Sequence, residues 1–367
     1  MGAAADGAKP LRVAVRYLDV HGMSGIKRYS LELLAALRRI GVDARPSRHL
    51  YREWRVRGRP VGGLVTMKLG YYLPALGADV VHSTHYTIIP RVGRSDVVTV
   101  HDVMPSAHPD LYALDARGKA RHDQGVRRAL RRWVVTDTEA SRQEIVRLFP
   151  EAEASHIVPV HLGVDHDRFH PPTGAEPTAL PLRPGMLNVA VFMNPEWRKR
   201  VDLLLRAALR LPFVHVLHGG TTWTIRGQEG ALLRNQEAAR ALQAEGRYTA
   251  LGPLDDRGLR DLFAHADVVV HPSAAEGFSL PPLEALACGA RVLASDIPPH
   301  REVLGEAARY CALTEEALAG ALQDLWDGGS VADARFPPLA RRLAHARSFT
   351  WERTAEQTLA VYRRATE

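Results

Sequence analysis

The sequence predicts an α/β protein made of two successive Rossmann-like halves, and three observations carry that prediction. An alternating stretch from Leu11 to Tyr17 passes through a glycine loop, His21 to Gly25, into a helical run from Lys27 to Ile40 that stops at Gly41. Strand, glycine loop and helix in that order open a half of this kind. The order restarts with an alternation at Leu187 to Phe192, a loop at Asn194 to Arg200 and a helical run from Val201 to Leu211. Between the two lies a stretch marked by Pro171, Pro172, Pro177, Pro181 and Pro184, which has the composition of a linker.

The chain has 367 residues, 46% of them hydrophobic, and no uninterrupted apolar run of membrane-spanning length, so two soluble domains are expected. The start, MGAAADGAKP, lacks the apolar core of a secretory signal and points to the cytoplasm. Cys288 and Cys311 are the only cysteines, too few for a metal cluster or a disulfide framework, and are expected as small buried side chains. A formal charge of +7 favours anionic partners but does not choose among phosphorylated ligands, lipid and nucleic acid.

After the first helix, residues 45–72 mix Arg48, Arg52, Arg55, Arg57, Arg59 and Lys68 with Tyr51, Trp54, Tyr71 and Tyr72 without a clean period. This region suits an acceptor site, a lipid contact or a solvated loop. Asp79 to Ser83 and Asp96 to Val100 are short β-branched runs of the kind buried in parallel sheets. The second delivers His101 and Asp102 to the C-terminal edge of a strand, where ligands bind in such sheets. A basic helix is expected from Arg117 to Trp133, with Arg121, Arg128 and Arg132 at neighbouring positions. A strand follows at WVVT, then a capped helix from Arg142 to Phe149 and a strand at Ile157 to Val160. Asp165-His166-Asp167 mimics a metal-binding D-x-D, but no further ligands cluster near it in the sequence.

In the second half, strands are expected at Phe213 to Gly219, Tyr248 to Leu251 and Asp267 to His271, with a helix at Asp256 to His265. The stretch from His271 to Asp296 carries the densest chemistry. Pro281 and Pro282 suit a first helical turn and Gly289 suits its C′ position. Glu276 therefore falls in a loop, and Glu284 at the border of the apolar face made by Leu280, Leu283 and Ala287. A half-buried carboxylate there needs hydrogen-bond donors, and a sugar diol would be one. The prolines lack N–H groups, so the free amides at this helix start belong to Phe278, Ser279 and Leu280, next to Gly277, and helix starts attract anions.

EGFSLPPLEALACGARVLASD, Glu276 to Asp296, resembles the E-x7-E signature region of the retaining glycosyltransferases of family four. HDVMPSAHPD from His101, and Gly163-Val164-Asp165 with Phe169, resemble further segments of that family. The resemblance implies a GT-B fold, two Rossmann-like domains facing across a cleft, with a C-terminal helix that crosses back to the first domain. The expected division is an acceptor domain over residues 1–167, a linker over 168–186, a nucleotide-sugar domain over 187–349 and the returning helix over 350–367. It also implies that Glu276 contacts the transferred sugar, that Glu284 binds the nucleotide ribose and that His101, with Asp102 beside it, faces the donor sugar. Gly25 would let the backbone approach the donor diphosphate, and Lys199 would bind it. The family often has an arginine six residues before that lysine; Met193 stands there, and Arg198 is the expected substitute. Ser279 stands where the family often has glycine, adding a side chain near the donor sugar.

The expected activity is thus retaining transfer of a hexose, with mannose from GDP-mannose as the first guess, to a glycan, lipid-linked or small-molecule acceptor. Neither metal nor other cofactor is expected, because basic side chains and helix amides would stabilise the diphosphate. The expected partners are the nucleotide-sugar donor and a carbohydrate or lipid-linked acceptor, with no nucleic acid. Peripheral contact with the inner membrane face would use residues 45–72 and 117–132. An epimerase or phosphorylase on the same fold, and a non-catalytic scaffold that binds nucleotide sugar or membrane, are the alternatives.

Overall fold

A computed structural model describes residues 11–19, 25–50, 54–56, 59–61, 75–90, 94–112, 114–174, 178–194, 196–220, 229–328 and 336–367. The first half contains β1 (Arg12–Asp19), β2 (Asp43–Leu50), β3 (Trp54–Val56), β4 (Arg59–Val61), β5 (Val80–Ser83), β6 (Val97–Thr99), β7 (Trp133–Thr136) and β8 (Ile157–Pro159). Its helices are α1 (Gly25–Arg39), two short turns α2 (Met104–Ala107) and α3 (Pro109–Tyr112), α4 (Ala116–Ala129) and α5 (Glu139–Leu148). The second half contains β9 (Leu187–Phe192), β10 (Val214–Gly219), β11 (Tyr248–Gly252), β12 (Val268–His271), β13 (Val292–Ser295) and β14 (Arg309–Cys311). Around these lie α6 (Val201–Leu209), α7 (Glu229–Ala244), α8 (Asp256–His265), α9 (Leu280–Ala287), α10 (Pro298–Leu304), α11 (Glu315–Gly328), α12 (Leu339–Arg347) and α13 (Trp351–Arg364).

The valine-rich runs make the central strands for the expected reason: every residue of β5, β6, β12 and β13 is buried, as a strand covered by helices on both faces requires. The first sheet has the order β2-β1-β5-β6-β7-β8 and the second β11-β10-β9-β12-β13-β14. All pairings within both are parallel. In each sheet the chain reverses direction beside its first strand, between β1 and β5 and between β9 and β12. Loops leaving the C-terminal ends at such a switch point open a crevice for ligand. The loop after β9 carries Arg198 and Lys199, and the loop after β12 carries Glu276.

One element departs from expectation. Residues 43–50, part of them in the unreadable basic region, form the edge strand β2, paired with β1 from Arg12↔Asp43 to Asp19↔Leu50. Its sequence, DARPSRHL, hides the strand because an edge strand tolerates charge and proline where a central one does not. Further along, β3 and β4 pair antiparallel, and most of the remaining basic-aromatic stretch lies outside the described residues, as does the glycine loop at 21–24.

The chain crosses between the halves twice, side by side. Val164 bridges Thr350, and a Cβ on Gly163 would overlap the backbone of Trp351, so only glycine permits this approach. The last helix then lies against the first sheet, with the Tyr362 hydroxyl 2.7 Å from Nδ1 of His82. The D-x-D look-alike is used locally: Asp165 accepts from the N–H groups of Asp167 and Arg168 and pairs with the Arg168 guanidinium. No helix among the described residues is long and apolar enough to cross a membrane.

Candidate functional site

The two halves meet where their strand ends face each other. Gly277, in the loop after β12, is pressed against the loop after β6: a Cβ there would lie 3.2 Å from both Asp102 Oδ2 and the His101 carbonyl. The Gly277 carbonyl accepts from Thr138 Oγ1 at 2.9 Å and Ser141 Oγ at 3.3 Å. A second clamp is made by Glu302 of α10, whose carboxylate accepts from the first N–H groups of α5, Glu139 at 2.7 Å and Ala140 at 2.9 Å, and from His161 Nε2 at 2.7 Å. A carboxylate from one half thus caps a helix of the other. His101, Asp102, Glu276 and Gly277, which the sequence singled out separately, are brought together by this contact.

Glu276 is buried and fully engaged. Its Oε1 accepts from Lys199 Nζ at 2.6 Å and faces His271 Nε2 at 3.4 Å, and its Oε2 accepts from Arg198 Nη1 at 2.9 Å. Burial alone would raise its pKa, but Lys199 and Arg198 outweigh it and hold the carboxyl well below the ordinary range. Lys199 and Arg198 sit in the turn before α6, where Arg200 adopts a left-handed φ of 48°. Arg198 is less free than a diphosphate ligand was expected to be. Its Nε donates to Glu196 at 2.9 Å, and its Nη1 donates to the Ala275 carbonyl at 3.3 Å as well as to Glu276. Its pKa lies above the usual value, because Glu276 in particular more than offsets burial.

Across the crevice, His101 Nδ1 is 3.0 Å from both carboxylate oxygens of Asp137. The carboxylate accepts, so Nδ1 carries the hydrogen, and Nε2 is buried with no hydrogen-bond partner of good geometry among the described residues. Burial disfavours charging this ring, but the Asp137 carboxylate outweighs it and the pKa is raised. Asp102 accepts from the Met104 N–H at 3.0 Å, and its pKa is raised by burial. Beside Glu276 a cavity of ≈ 260 Å³ opens between Met104, Ser141 and Glu144 of the first half and Ala275, Glu276 and Pro298 of the second.

Glu284, on the first turns of α9, is 4% exposed, and Arg28 Nη1 donates to its Oε1 at 2.8 Å. Arg28 comes from α1 of the other half and also donates to Asp256. Burial dominates and pushes the Glu284 pKa up to about 7, with Arg28 opposing. The carboxylate expected half-buried and in need of donors is thus buried and finds one in Arg28, and no donor among the described residues reaches its Oε2. Gly25 begins α1 and is exposed, with nothing within 4 Å of a Cβ, so no contact among the described residues calls for glycine there.

Phe278 is buried and packs on Phe349 with ring centroids 6.2 Å apart. The N–H groups of Phe278, Ser279 and Leu280 have no protein acceptor among the described residues, and Leu280 is the first residue of α9. Ser279, whose side chain was expected near the donor sugar, is 7% exposed, and its hydroxyl points to His271 and His300. Sequence reasoning missed Arg28, Asp137, His271 and His300. Only the strand-end position of His271 was a usable signal; Arg28 and Asp137 act through partners far along the chain, and His300 through the inward turn of Ser279.

The family model described as Glycosyl transferases group 1 matches residues 184–335. D-inositol 3-phosphate glycosyltransferase of Mycolicibacterium smegmatis is 33% identical over 321 residues, covering 82% of this chain and 69% of that protein. O-antigen chain mannosyltransferase B of Escherichia coli is 29% identical over 300 residues, covering 77% of this chain and 73% of that protein. Among solved structures, sucrose-phosphate synthase from Thermosynechococcus elongatus superposes with a TM-score of 0.74 at 18% identity, over 96% of this chain and 99% of the other. Anabaena HepE, in complex with UDP-glucose, superposes with a TM-score of 0.71 at 18% identity, over 95% of this chain and 99% of the other. These structural likenesses establish the GT-B arrangement of the two halves.

Proposed function

The chain belongs to the group 1 glycosyl transferases, and from that premise we propose that it moves a hexosyl group, with retention, from a nucleotide-diphosphate sugar to a hydroxyl acceptor. The observation that carries this reading is the placement in one crevice of an ionised, buried Glu276 and a buried His101 held by Asp137. A sugar seated between them would donate a hydroxyl to the carboxylate and have the imidazole ring of His101 facing it from the other half. Such donors and acceptors are aimed before the substrate arrives, which is how a site favours the transition state over the ground state.

In this reading Glu284 Oε2 accepts from the ribose. Lys199, the remaining guanidinium N–H groups of Arg198 and the free amides at Phe278 to Leu280 take the charge that develops on the leaving diphosphate. The chain's own cations and amides supply that stabilisation, so EDTA should leave turnover unchanged. Mannose is the proposed sugar, supported by the Escherichia coli relative, which is a mannosyltransferase by name; UDP-glucose, bound by Anabaena HepE, is the competing donor. The acceptor would enter beside α2 and α5, through the cavity that reaches Glu276. On α4 and in the turn after it, Arg117, Arg121 and Arg131 are exposed and support a peripheral lipid contact. Arg128 and Arg132 are instead spent on the carbonyls of Ile89, Pro90 and Ser95.

The test is a melting-shift screen over nucleotide sugars, followed by turnover with the stabilising donor and assignment of the product anomer by NMR. A product with the donor's anomeric configuration is expected. An inverted product would refute retention, and donor turnover to a free epimer without acceptor would favour the epimerase alternative.

A further inference from the structure

Behind Glu276 lies a buried run of side chains that the proposed function leaves unused. Ser279 has φ 75° and ψ 72°, a left-handed conformation that favours glycine, yet the position carries a hydroxymethyl group. That hydroxyl is 3.1 Å from Nε2 of His271 and 3.1 Å from Nε2 of His300. Both rings are buried, His271 at 2% and His300 at 0% exposure.

The hydrogen positions follow from the acceptors. His300 Nδ1 lies 2.9 Å from the Ser295 carbonyl, which only accepts, so Nδ1 carries the hydrogen. Burial lowers the pKa of this ring and keeps it neutral, which leaves Nε2 as a bare acceptor. The Ser279 hydroxyl therefore donates to His300 and offers its lone pairs to His271. On the other side of His271 Nε2 stands Glu276 Oε1 at 3.4 Å, an ionised carboxylate that also only accepts. Two acceptors flank one ring nitrogen, so the hydrogen of His271 resides on Nε2, shared between Glu276 and Ser279.

We propose that Ser279 is a positioning residue for Glu276: its hydroxyl, held between two imidazoles, sets the His271 tautomer so that His271 keeps an N–H aimed at the carboxylate. The inference rests on the reading of Glu276 as the carboxylate that meets the transferred sugar. Lys199 and Arg198 neutralise Glu276, but both come from a single turn; the His271 N–H anchors Oε1 from the end of β12 instead. A glycine at 279 would relax the backbone but leave His300 Nε2 without its donor and free His271 to place its hydrogen on Nδ1, with a lone pair turned toward Glu276.

Ser279→Gly and Ser279→Ala separate the hydroxyl from the backbone, because glycine relieves the left-handed strain and alanine keeps it. Long-range 1H–15N spectra of the parent, with each ring assigned by loss of its signals in His271→Gln and His300→Gln, are expected to show hydrogen on Nε2 of His271 and on Nδ1 of His300. Both Ser279 variants should lower kcat on the order of tenfold with the donor KM changed less than about twofold, the pattern of an interaction realised in the transition state. Hydrogen on Nδ1 of His271 in the parent overturns the proposal, and so does a Ser279→Gly enzyme with full kcat. Glu276→Gln is the control. If it lowers turnover while Ser279→Gly does not, the positioning role alone falls. If neither change matters, the functional reading of Glu276 falls with it. Should both Ser279 variants fail to fold, the parent spectrum still decides the tautomer.

Discussion

Glu284→Gln tests the site through its charge. In the folded protein burial pushes the Glu284 pKa from 4.5 up to about 7 even with Arg28 beside it. A raised carboxyl pKa means that the folded state holds its proton where the unfolded chain has lost it. Stability attributable to this group is therefore fully present below pH 4.5 and is lost as pH rises to about 7. At ~1.36 kcal/mol per pH unit the loss is about 3 kcal/mol. Glutamine does not titrate, so the midpoint of thermal unfolding of the variant should gain on the parent through that window, by roughly 2–4 °C per kcal/mol for a domain of 150–250 residues, and the gain should level off above pH 8. The other titrating groups are common to both proteins and cancel in the difference. Ribose binding favours the ionised form, so affinity of the parent for the bare nucleoside should rise with pH toward 7 and then flatten, while that of the variant stays low and flat. The nucleoside is used because a terminal phosphate would itself titrate. A pH-independent difference in midpoint between pH 5 and 8 would refute the perturbed carboxyl, and unchanged nucleoside affinity in Glu284→Gln would refute the ribose contact.

Three further outcomes are expected. Glu276→Gln should lower kcat and leave nucleoside diphosphate affinity nearly unchanged, whereas Glu276→Ala should also destabilise the fold by about 3–5 kcal/mol, because it leaves the buried Lys199 without its carboxylate and Arg198 with Glu196 alone; calorimetry and steady-state kinetics on both variants check this, and a stable, fully active alanine variant would contradict it. Lys199→Ala and Arg198→Ala should each weaken nucleoside diphosphate binding by about 1.5–3 kcal/mol with little effect on the nucleoside, measured by titration calorimetry; a loss confined to Lys199→Ala would show that Arg198 serves Glu196 and Glu276 alone. Replacing Arg117, Arg121 and Arg131 together by alanine should abolish a salt-sensitive partition onto anionic vesicles at low ionic strength, and equal partition of the parent onto neutral and anionic vesicles would remove the lipid contact.

Much of this protein was legible in its sequence, because the features concerned are local. Short valine runs can be buried on both faces only as central parallel strands, and Pro281, Pro282 and Gly289 bracket a helix by the backbone conformations they allow. Glu276 in its loop and Glu284 on the helix after it followed from the same spacing, and the family resemblance rested on that stretch. The edge strand β2 was not legible, since an edge carries no hydrophobic pattern to betray it. What the tertiary structure alone decided is which charges and protons face one another. Arg28 reaches Glu284 from 256 residues away, Glu302 caps α5 from 163 residues away, and His101 finds Asp137 from 36. The first two pairs depend on how two sheets dock and the third on which strands lie side by side in one sheet, and spacing along the chain encodes neither. Ser279 shows the same division within eight residues: sequence placed a side chain where glycine is common, and only packing turned its hydroxyl inward to two histidines, because buried polar groups must find partners wherever the fold happens to bring them.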